Sequence, residues 1–348
     1  MSSAQQISSR SSTRSIKTGV CQTASTRRLA GAFLLVLALS GCATPPQTRQ
    51  LLADIPAGIP ASIELTDTPF FPQQRYQCGP AALATVLSAQ AVRVTPDELV
   101  HEVYVPALQG SLPEEMTATA RRYRMLAYPL PGSLSGLLTE VAHGNPVLVM
   151  QNLGNDWFQN WHFAVVIGYD LDKHEIILRS GTTARWRTTL AVFERTWSRS
   201  DYWALVVLPA GEIPASAALT PYLQACRDLE TSGQDVAALS AYQSASRHWP
   251  NEPRAWLAYG NSLYASGETT NAASAFLQVT QLSPDNPHGW NNLAYALLQT
   301  GCPQQARRAA ACAVTHGGDD ANYRDTQKDI YRQASGVDGS GCAAVVCK

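Results

Sequence analysis

One cysteine, Cys78, stands where an extended segment gives way to a predicted helix. Gly79, Pro80 and a run rich in alanine and leucine follow it and predict a helix to about Gln90. The free N–H groups and the dipole at a helix N-terminus favour an anion, and a cysteine attacks as its thiolate. The sequence therefore predicts a nucleophilic thiol that needs a general base. The competing interpretation is a small buried side chain at a helix start.

His162 is the candidate general base among the chain's seven histidines. It begins the β-branched run 162–169, whereas the other histidines lie in helices, at a turn or in the C-terminal half. An imidazole on a strand that faces a helix N-terminus can be held at hydrogen-bond distance from a thiol by two rigid elements. The aromatic segment 157–161 precedes His162, and we expect this loop to form one wall of a cleft.

The elements that position these two residues change from helical to extended along the region 61–209. Thr95 with Glu98, and Ser111 with Glu114, form capping-box patterns with a proline near the start, so we expect helices to begin there. Helices followed by antiparallel strands indicate an α+β domain. The predicted helices are 78–90, 95–103, 111–123, 134–143 and 190–197, and the predicted strands are 146–151, 162–169, 175–179, 185–189 and 202–208.

The order of these motifs resembles the papain-like C39 peptidases, a family that includes the bacteriocin-leader processing domains. The resemblance covers roughly residues 60–209. It implies peptide hydrolysis, in which Cys78 attacks the carbonyl carbon and His162 takes and returns the proton. The motifs that carry it are Gln77-Cys78-Gly79-Pro80-Ala81-Ala82-Leu83-Ala84 and Trp161-His162-Phe163-Ala164-Val165-Val166-Ile167-Gly168-Tyr169-Asp170.

The resemblance also implies a glutamine upstream of the cysteine that helps to hold the oxyanion. In the family this glutamine usually lies six residues before the cysteine, where this chain has Pro72. Gln73 is the nearest match and is the predicted oxyanion-hole residue, with the Cys78 backbone N–H as the second donor. The sequence also offers Gln74 and Gln77.

The third catalytic position departs from the family pattern. The family places an aspartate at the end of the strand after the histidine strand, where this chain has Ser180. Asp170, at the turn before that strand, is the other tentative third member. The third group orients the imidazole and does not take its proton. A Cys78–His162 pair can therefore work with Ser180, with a backbone carbonyl or with Asp170 brought near by a local rearrangement.

A period of 34 residues governs the chain from about residue 219. Aromatic residues, glycines and alanines recur in phase at this interval, which resembles the tetratricopeptide repeat over 219–320. Such repeats stack into a solenoid whose curved surface implies a protein partner. The recurring residues are Tyr222, Trp256 and Trp290; Gly233, Gly267 and Gly301; Ala238, Ala272 and Ala306; Tyr242 and Phe276; and Pro250 and Pro284.

Residues 1–41 are typical of a lipoprotein signal peptide. Basic residues precede the apolar run 29–39, which is too short to span a bilayer, and Leu39-Ser40-Gly41-Cys42 resembles a bacterial lipobox. This resemblance implies that Cys42 carries a lipid and that Ala43 after it directs the protein to the outer membrane, facing the periplasm. Residues 42–60 are predicted to be the anchor and a polar tether.

Composition and the positions of the cysteines bear on which partners, metals and cofactors to expect. A formal net charge of −1 with 15% charged residues gives no reason to expect nucleic acid as a partner. The four cysteines nearest the C-terminus can pair with one another in an oxidising compartment, and their spacing fits no zinc site, so neither metal nor cofactor is expected. We predict a linker at 210–218 and a tail at 321–348 that is irregular from Gly336. The four cysteines are Cys302, Cys312, Cys342 and Cys347.

The predicted architecture is an outer-membrane lipoprotein with an α+β papain-like peptidase domain followed by an all-α tetratricopeptide solenoid. The peptidase would cleave peptide bonds through Cys78 and His162, and the repeats would recruit the peptide or protein substrate or a partner protein. Two other functions fit the same residues. One is a peptide-binding adaptor that lost catalysis with the missing aspartate, and the other is an acyl-transfer enzyme or amidase of the same fold.

Overall fold

The computed structural model describes residues 44–73, 77–155, 157–342 and 344–347, and residues 45–348 form one compact unit. The predicted signal peptide, Cys42 and Gln74 lie outside the described residues. Within those ranges, no helix combines the length and the apolar character needed to cross a bilayer.

A short helix occupies the segment where a polar tether was expected. Helix α1, Pro46–Ala53, starts with proline at its first position. The buried carboxylate of Glu194 accepts hydrogen bonds from the backbone N–H groups of Gln47 and Thr48 and from the Thr48 hydroxyl. These contacts satisfy N–H groups that the first turn of a helix leaves unpaired. The tether prediction is therefore wrong for this segment, because α1 is bound to the domain.

The domain that follows combines helices with antiparallel strands, as predicted. Thr95 and Glu98 form the expected capping box. Ser111 does not cap the next helix, which begins after Leu112, so that part of the prediction is wrong. The elements are β1 Ser62–Glu64, α2 Cys78–Ala89, α3 Pro96–Val103, β2 Tyr104–Val105, β3 Gly110–Ser111, α4 Pro113–Arg122, β4 Met125–Pro129, α5 Leu134–Ala142, β5 Val147–Asn152, β6 Trp161–Asp170, β7 Glu175–Ser180, β8 Thr183–Thr189, α6 Leu190–Ser198 and β9 Ala204–Pro209.

One antiparallel sheet organises this domain in the order β4-β9-β5-β6-β7-β8, with β1 paired to β6. Strand β4 was missed in the sequence, although all five of its residues pair with β9. Side chains alternate between the two faces of the sheet. On one face Phe163 and Val165 pack with residues of α2, α3 and α4, and on the other Ala164 and Val166 pack with residues of α1, α5 and α6.

The C-terminal half is built from helix pairs, as the 34-residue period predicts. Gly233, Gly267 and Gly301 follow the first helix of each pair with φ of 74°, 84° and 75°. Glycine adopts this left-handed conformation without steric cost, which explains its recurrence at the end of these helices. The pairs are α7 Leu219–Thr231 with α8 Asp235–His248, α9 Pro253–Ala265 with α10 Thr269–Leu282, and α11 Pro287–Gln299 with α12 Pro303–Gly317.

The recurring tryptophans and prolines belong to one repeated contact. The indole N–H of Trp256 donates to the carbonyl of Pro250 at 2.8 Å, and that of Trp290 donates to the carbonyl of Pro284 at 2.6 Å. Each bond ties the start of one pair to the end of the preceding helix. The tryptophan and proline therefore recur together because the second and third pairs use both.

The chain beyond the third pair is folded against it. Helix α13, Ala321–Gln333, packs on α12 and buries Tyr323 and Ile330. The predicted tail therefore begins with a helix, and its irregular part is fixed by cross-links. Disulfides join Cys302 to Cys342 and Cys312 to Cys347.

The segment predicted as a linker, 210–218, is also bound. Buried Glu140 accepts hydrogen bonds from the backbone N–H groups of Ala215 and Ser216, and the Tyr128 hydroxyl accepts one from the N–H of Ala218. Helix α7 packs on β4, and one apolar cluster runs from the sheet into the first helix pair. The repeats and the α+β domain therefore share a core.

Candidate active site

The N-terminus of α2 and the start of β6 border one cavity of about 670 Å³. Cys78 is the first residue of α2 and His162 is the second residue of β6, and both line this cavity. Gln73 lines it as well, and the segments 108–113 and 159–163 form its walls. The structure thus brings together the three residues predicted to act as nucleophile, base and oxyanion-hole donor.

The Cys78 thiol is neutral at rest. The backbone N–H groups of Phe163 and Gly79 hydrogen-bond to it, which places its sulfur beside the strand that carries His162. Burial nevertheless raises the pKa of the Cys78 thiol above its ordinary value, and these hydrogen bonds offset only part of that effect. Burial therefore outweighs the effect of the helix N-terminus on the resting thiol.

His162 is also neutral, because burial lowers its pKa from 6.5 to about 4. A neutral imidazole carries one N–H and one free lone pair, so it can accept a proton. The resting site therefore pairs a thiol with a neutral base, and a proton must move between them before or during attack.

Ser180 stands behind His162, at the position where the family has an aspartate. Its Oγ lies 2.8 Å from Nε2 of His162. Strand β7 is in register with β6 through Val165 and Arg179, so Ser180 and His162 are diagonal neighbours across the two strands. If Nε2–H donates to the hydroxyl, Nδ1 keeps the lone pair that can take the Cys78 proton. Ser180 can therefore orient the ring without adding charge.

Asp170 does not belong to this site. It is the last residue of β6, eight residues past His162, which corresponds to about 26 Å along a strand. Its carboxylate accepts the backbone N–H of Lys173 and forms an ion pair with the Lys173 ammonium, and this contact lowers the pKa of the carboxyl. Asp170 stabilises the turn after β6, so its tentative catalytic role is wrong.

Gln73 reaches the cavity from the segment before α2. Its backbone N–H donates to the carbonyl of Gly181, just after β7, at 3.0 Å. Its side-chain amide donates to the carbonyl of Phe163 at 3.3 Å. An amide has two N–H donors, so this contact leaves a second one for an oxyanion. Gln77, an alternative in the sequence, is the residue that precedes α2 as its N-cap.

The wall opposite β6 comes from residues to which the sequence analysis gave no part in the site. The β2–β3 hairpin brings Leu108 and Ser111 to the cavity. Ser111 fits there because residue 79 is glycine, since a Cβ at that position would lie 2.1 Å from Ser111 Oγ. That oxygen is buried and has no hydrogen-bond partner among the described residues. Gly79 is the sequence signal for this close approach.

The aromatic loop before β6 divides into two parts. Trp161 lines the cavity together with Gln159 and Asn160. Trp157 and Phe158 lie outside the residues that line it and are 89% and 79% exposed. The prediction that this loop forms a cleft wall therefore applies to the Trp161 end alone.

Comparison with known families agrees with the division of the chain into an α+β domain and a run of helix pairs. Residues 65–204 match the peptidase C39-like family. Residues 236–287 and 257–321 match the tetratricopeptide repeat. The chain carries a C39-like peptidase domain followed by tetratricopeptide repeats. This confirms the predicted fold class and the resemblance, and the C39-like match contains every residue discussed above as part of the candidate site.

Among solved structures, the chain is similar to the crystal structure of a candidate C39-like peptidase from Bacillus anthracis. The sequences are 18% identical, and the match covers 42% of this chain and 97% of that chain with a TM-score of 0.37. None of the curated proteins matches the chain. The assignment of site residues therefore rests on the geometry of the C39-like domain itself.

Proposed function

We propose that this protein is a membrane-anchored periplasmic cysteine peptidase that cleaves peptide bonds through Cys78 and His162. The observation that carries the proposal is the contact of 2.8 Å between His162 Nε2 and Ser180 Oγ, on a histidine that shares a cavity with Cys78. This contact supports Ser180 as the group that orients the imidazole. With the N–H on Nε2 and donating to that hydroxyl, Nδ1 is the basic nitrogen.

The proposed reaction begins with transfer of the Cys78 proton to His162 Nδ1 as the sulfur bonds to the substrate's carbonyl carbon. The oxyanion that forms accepts hydrogen bonds from the Gln73 amide and the Cys78 backbone N–H. His162 then returns the proton to the leaving amine as the C–N bond breaks. A water molecule then gives a proton to His162 as its oxygen bonds to the thioester carbon. The C–S bond breaks, His162 returns the proton to the Cys78 sulfur, and the acid product leaves.

The proposed location follows from the sequence of the N-terminal region. A lipid on Cys42 would anchor the protein in the outer membrane, with the peptidase domain in the periplasm, and the repeats would recruit a substrate or partner protein. Fractionation tests this part on its own: Cys42→Ser should release the protein from membranes, and globomycin should block processing of the wild type. Unchanged membrane association of Cys42→Ser would refute the lipid anchor without affecting the catalytic proposal.

A catalytically impaired, peptide-binding adaptor is the second candidate, and the pKa values favour it. A raised thiol pKa and a lowered imidazole pKa both oppose transfer of the proton from Cys78 to His162. No carboxylate lines the cavity among the described residues, so the imidazolium that would form there has no counter-ion in contact. An adaptor would keep the cavity and the repeats while losing turnover.

Comparison of periplasmic peptides from cells that carry the wild type, Cys78→Ala or Cys226→Ala separates the two functions. For a peptidase, we expect specific cleavage products to disappear with Cys78→Ala and to persist with Cys226→Ala, because Cys226 forms no part of the cavity lining. Identical peptides in all three strains would rule out peptidase activity under those conditions and favour the adaptor.

A further inference from the structure

The loop before β6 carries an exposed apolar tip, Trp157 and Phe158, whose backbone N–H groups are hydrogen-bonded. Asn155 Oδ1 accepts hydrogen bonds from the N–H groups of Trp157 and Phe158 at 2.9 and 2.8 Å. At the base of the loop, Asn152 Oδ1 accepts the N–H groups of Gly154 and Asn160 at 3.0 and 2.9 Å. Four backbone N–H groups of this loop thus donate to two asparagine side chains, and the loop carries two large aromatic side chains that are exposed to water.

A role in lining the substrate cavity does not explain why Trp157 and Phe158 are exposed. The cavity is lined by 159–163 of the same segment, while Trp157 and Phe158 lie outside its lining. Isolated exposed apolar residues are common, but adjacent exposed aromatic residues on a fixed loop indicate a contact with another surface.

Helix α6 links the tip to the start of the folded chain. Near its middle, Glu194 binds the first turn of α1 through the N–H groups of Gln47 and Thr48. At its C-terminal end, the Arg199 guanidinium donates to the carbonyl of Asn152 at 3.2 Å and to that of Gly154. The two attachment points are five residue steps apart, which is about 7.5 Å along the helix axis. One helix therefore holds both the beginning of α1 and the base of the aromatic loop.

The proposed lipid site, Cys42, lies a few residues before α1 in the sequence. Only residues 43–45 separate Cys42 from Pro46, the first residue of α1. Four residue steps span at most about 14 Å of extended chain. Because α1 is bound to Glu194, no long tether allows the domain to move away from the lipid surface.

We propose that Trp157 and Phe158 insert into the interfacial region of the lipid bilayer and hold the C39-like domain against it. Aromatic side chains favour that region, and the exposed Arg199 beside the loop adds a cation where anionic headgroups lie. The cavity opening, with Trp161 at its edge, then lies beside the membrane surface, so peptides held at that surface are its substrates. This inference rests on the lipid anchor of the proposed function and not on its catalytic step.

The test uses the full lipidated protein in vesicles of phosphatidylethanolamine and phosphatidylglycerol, with and without brominated acyl chains that quench tryptophan. We compare the wild type with Trp157→Ser and with the matched control Trp186→Ser, which removes a tryptophan that is 51% exposed on β8. The prediction is that Trp157→Ser removes about half or more of the quenched emission, whereas Trp186→Ser leaves it unchanged. Equal quenching in the wild type and Trp157→Ser would overturn the inference.

A second variant separates the bilayer from a peptide as the occupant of the tip. Phe158→Ser leaves the fluorophore in place, and we expect it to reduce quenching of Trp157 while labelling of Cys78 by a soluble peptide electrophile stays unchanged. Unchanged quenching with lost labelling would assign the tip to peptide binding and refute the bilayer contact. A protein that carries no lipid on Cys42 would refute the anchor and this inference together, whereas quenching lost in a lipidated protein would refute the inference alone.

Discussion

Cys78 and Cys226 are the two cysteines of the described residues that form no disulfide. Burial raises the pKa of both thiols. Cys226 lies inside α7, is 0% exposed and packs in the apolar cluster that joins the repeats to the sheet. Cys78 instead borders a cavity, accepts backbone N–H groups and shares that cavity with His162.

This comparison shows that a lowered resting pKa is not what distinguishes the candidate nucleophile in this protein. Both thiols are protonated at neutral pH, so the difference lies in access and in a nearby base. A reactive Cys78 must lose its proton to His162 during attack, whereas Cys226 has no base and no room for a substrate. Cys78 should therefore depend on its neighbours for reactivity, and Cys226 should be inert whatever is changed around the site.

Substitution of the base gives the largest expected effect. His162→Ala should lower the rate at which a peptide electrophile labels Cys78 by about 100- to 10,000-fold, the usual contribution of general base catalysis. Labelling of Cys226 should be undetectable in both proteins, and mass spectrometry of the labelled peptides measures both sites. Equal labelling of Cys78 in the two proteins would mean that the thiol reacts without His162, and the difference between the cysteines would then be one of access alone.

Substitution of Ser180 should change the same rate by a smaller amount. Ser180→Ala removes the hydroxyl at 2.8 Å from Nε2 and should lower the rate by roughly 10-fold, because the ring loses its orientation but keeps its lone pair. Ser180→Asp places a carboxylate beside the ring and should raise the pKa of His162, which favours proton transfer from Cys78.

The pair of Ser180 variants distinguishes orientation from charge. A rate above that of the wild type for Ser180→Asp would show that the missing charge limits this site. If Ser180→Ala has the wild-type rate, the hydroxyl is not the orienting group. Titration of the His162 ring by NMR in both variants gives a readout that a purely structural defect would not produce.

The pH dependence of labelling should show the lowered pKa of His162. The base is active while neutral, so the acid limb should fall near pH 4 and not near 6.5. Between these values the unfolded chain binds a proton that the folded chain excludes, so the unfolding free energy should decrease as pH falls from 6.5 toward 4. In His162→Gln this part of the pH dependence should be absent, which equilibrium denaturation at several pH values can measure.

Most of the fold follows from local patterns, and the exceptions have a physical cause. The 34-residue period and the β-branched run 162–169 are properties of the chain itself, so the helix pairs and β6 follow from the sequence. Helix α1 and strand β4 were missed because their partners lie far away in sequence, at Glu194 and along β9. Such partners become visible only when the chain is folded.

The candidate site could also be predicted only in part, because some of its features depend on the folded chain. Cys78 and His162 stand out in the sequence because the motifs around them are specific, and the family resemblance implies Gln73 as the nearest match to the family's glutamine. Neither residue types nor spacing could decide between Ser180 and Asp170, since that choice depends on which end of β6 faces the cavity. The burial that keeps Cys78 protonated could not be predicted from the sequence either, because it depends on how α2 packs against β6.

Substitution of Cys226 should have the smallest effect on labelling of Cys78 and tests whether the two thiols are independent. Cys226→Ser puts a hydroxyl into an apolar cluster, where an unsatisfied polar group costs about 1–3 kcal/mol of unfolding free energy. The labelling rate at Cys78 should stay within about twofold of the wild type, because distant sites with no shared partner act independently. Chemical denaturation and labelling of the same preparation measure both. A lost labelling rate in a folded Cys226→Ser protein would mean that the core shared by the domain and the repeats controls the cavity, and the two thiols would no longer be independent.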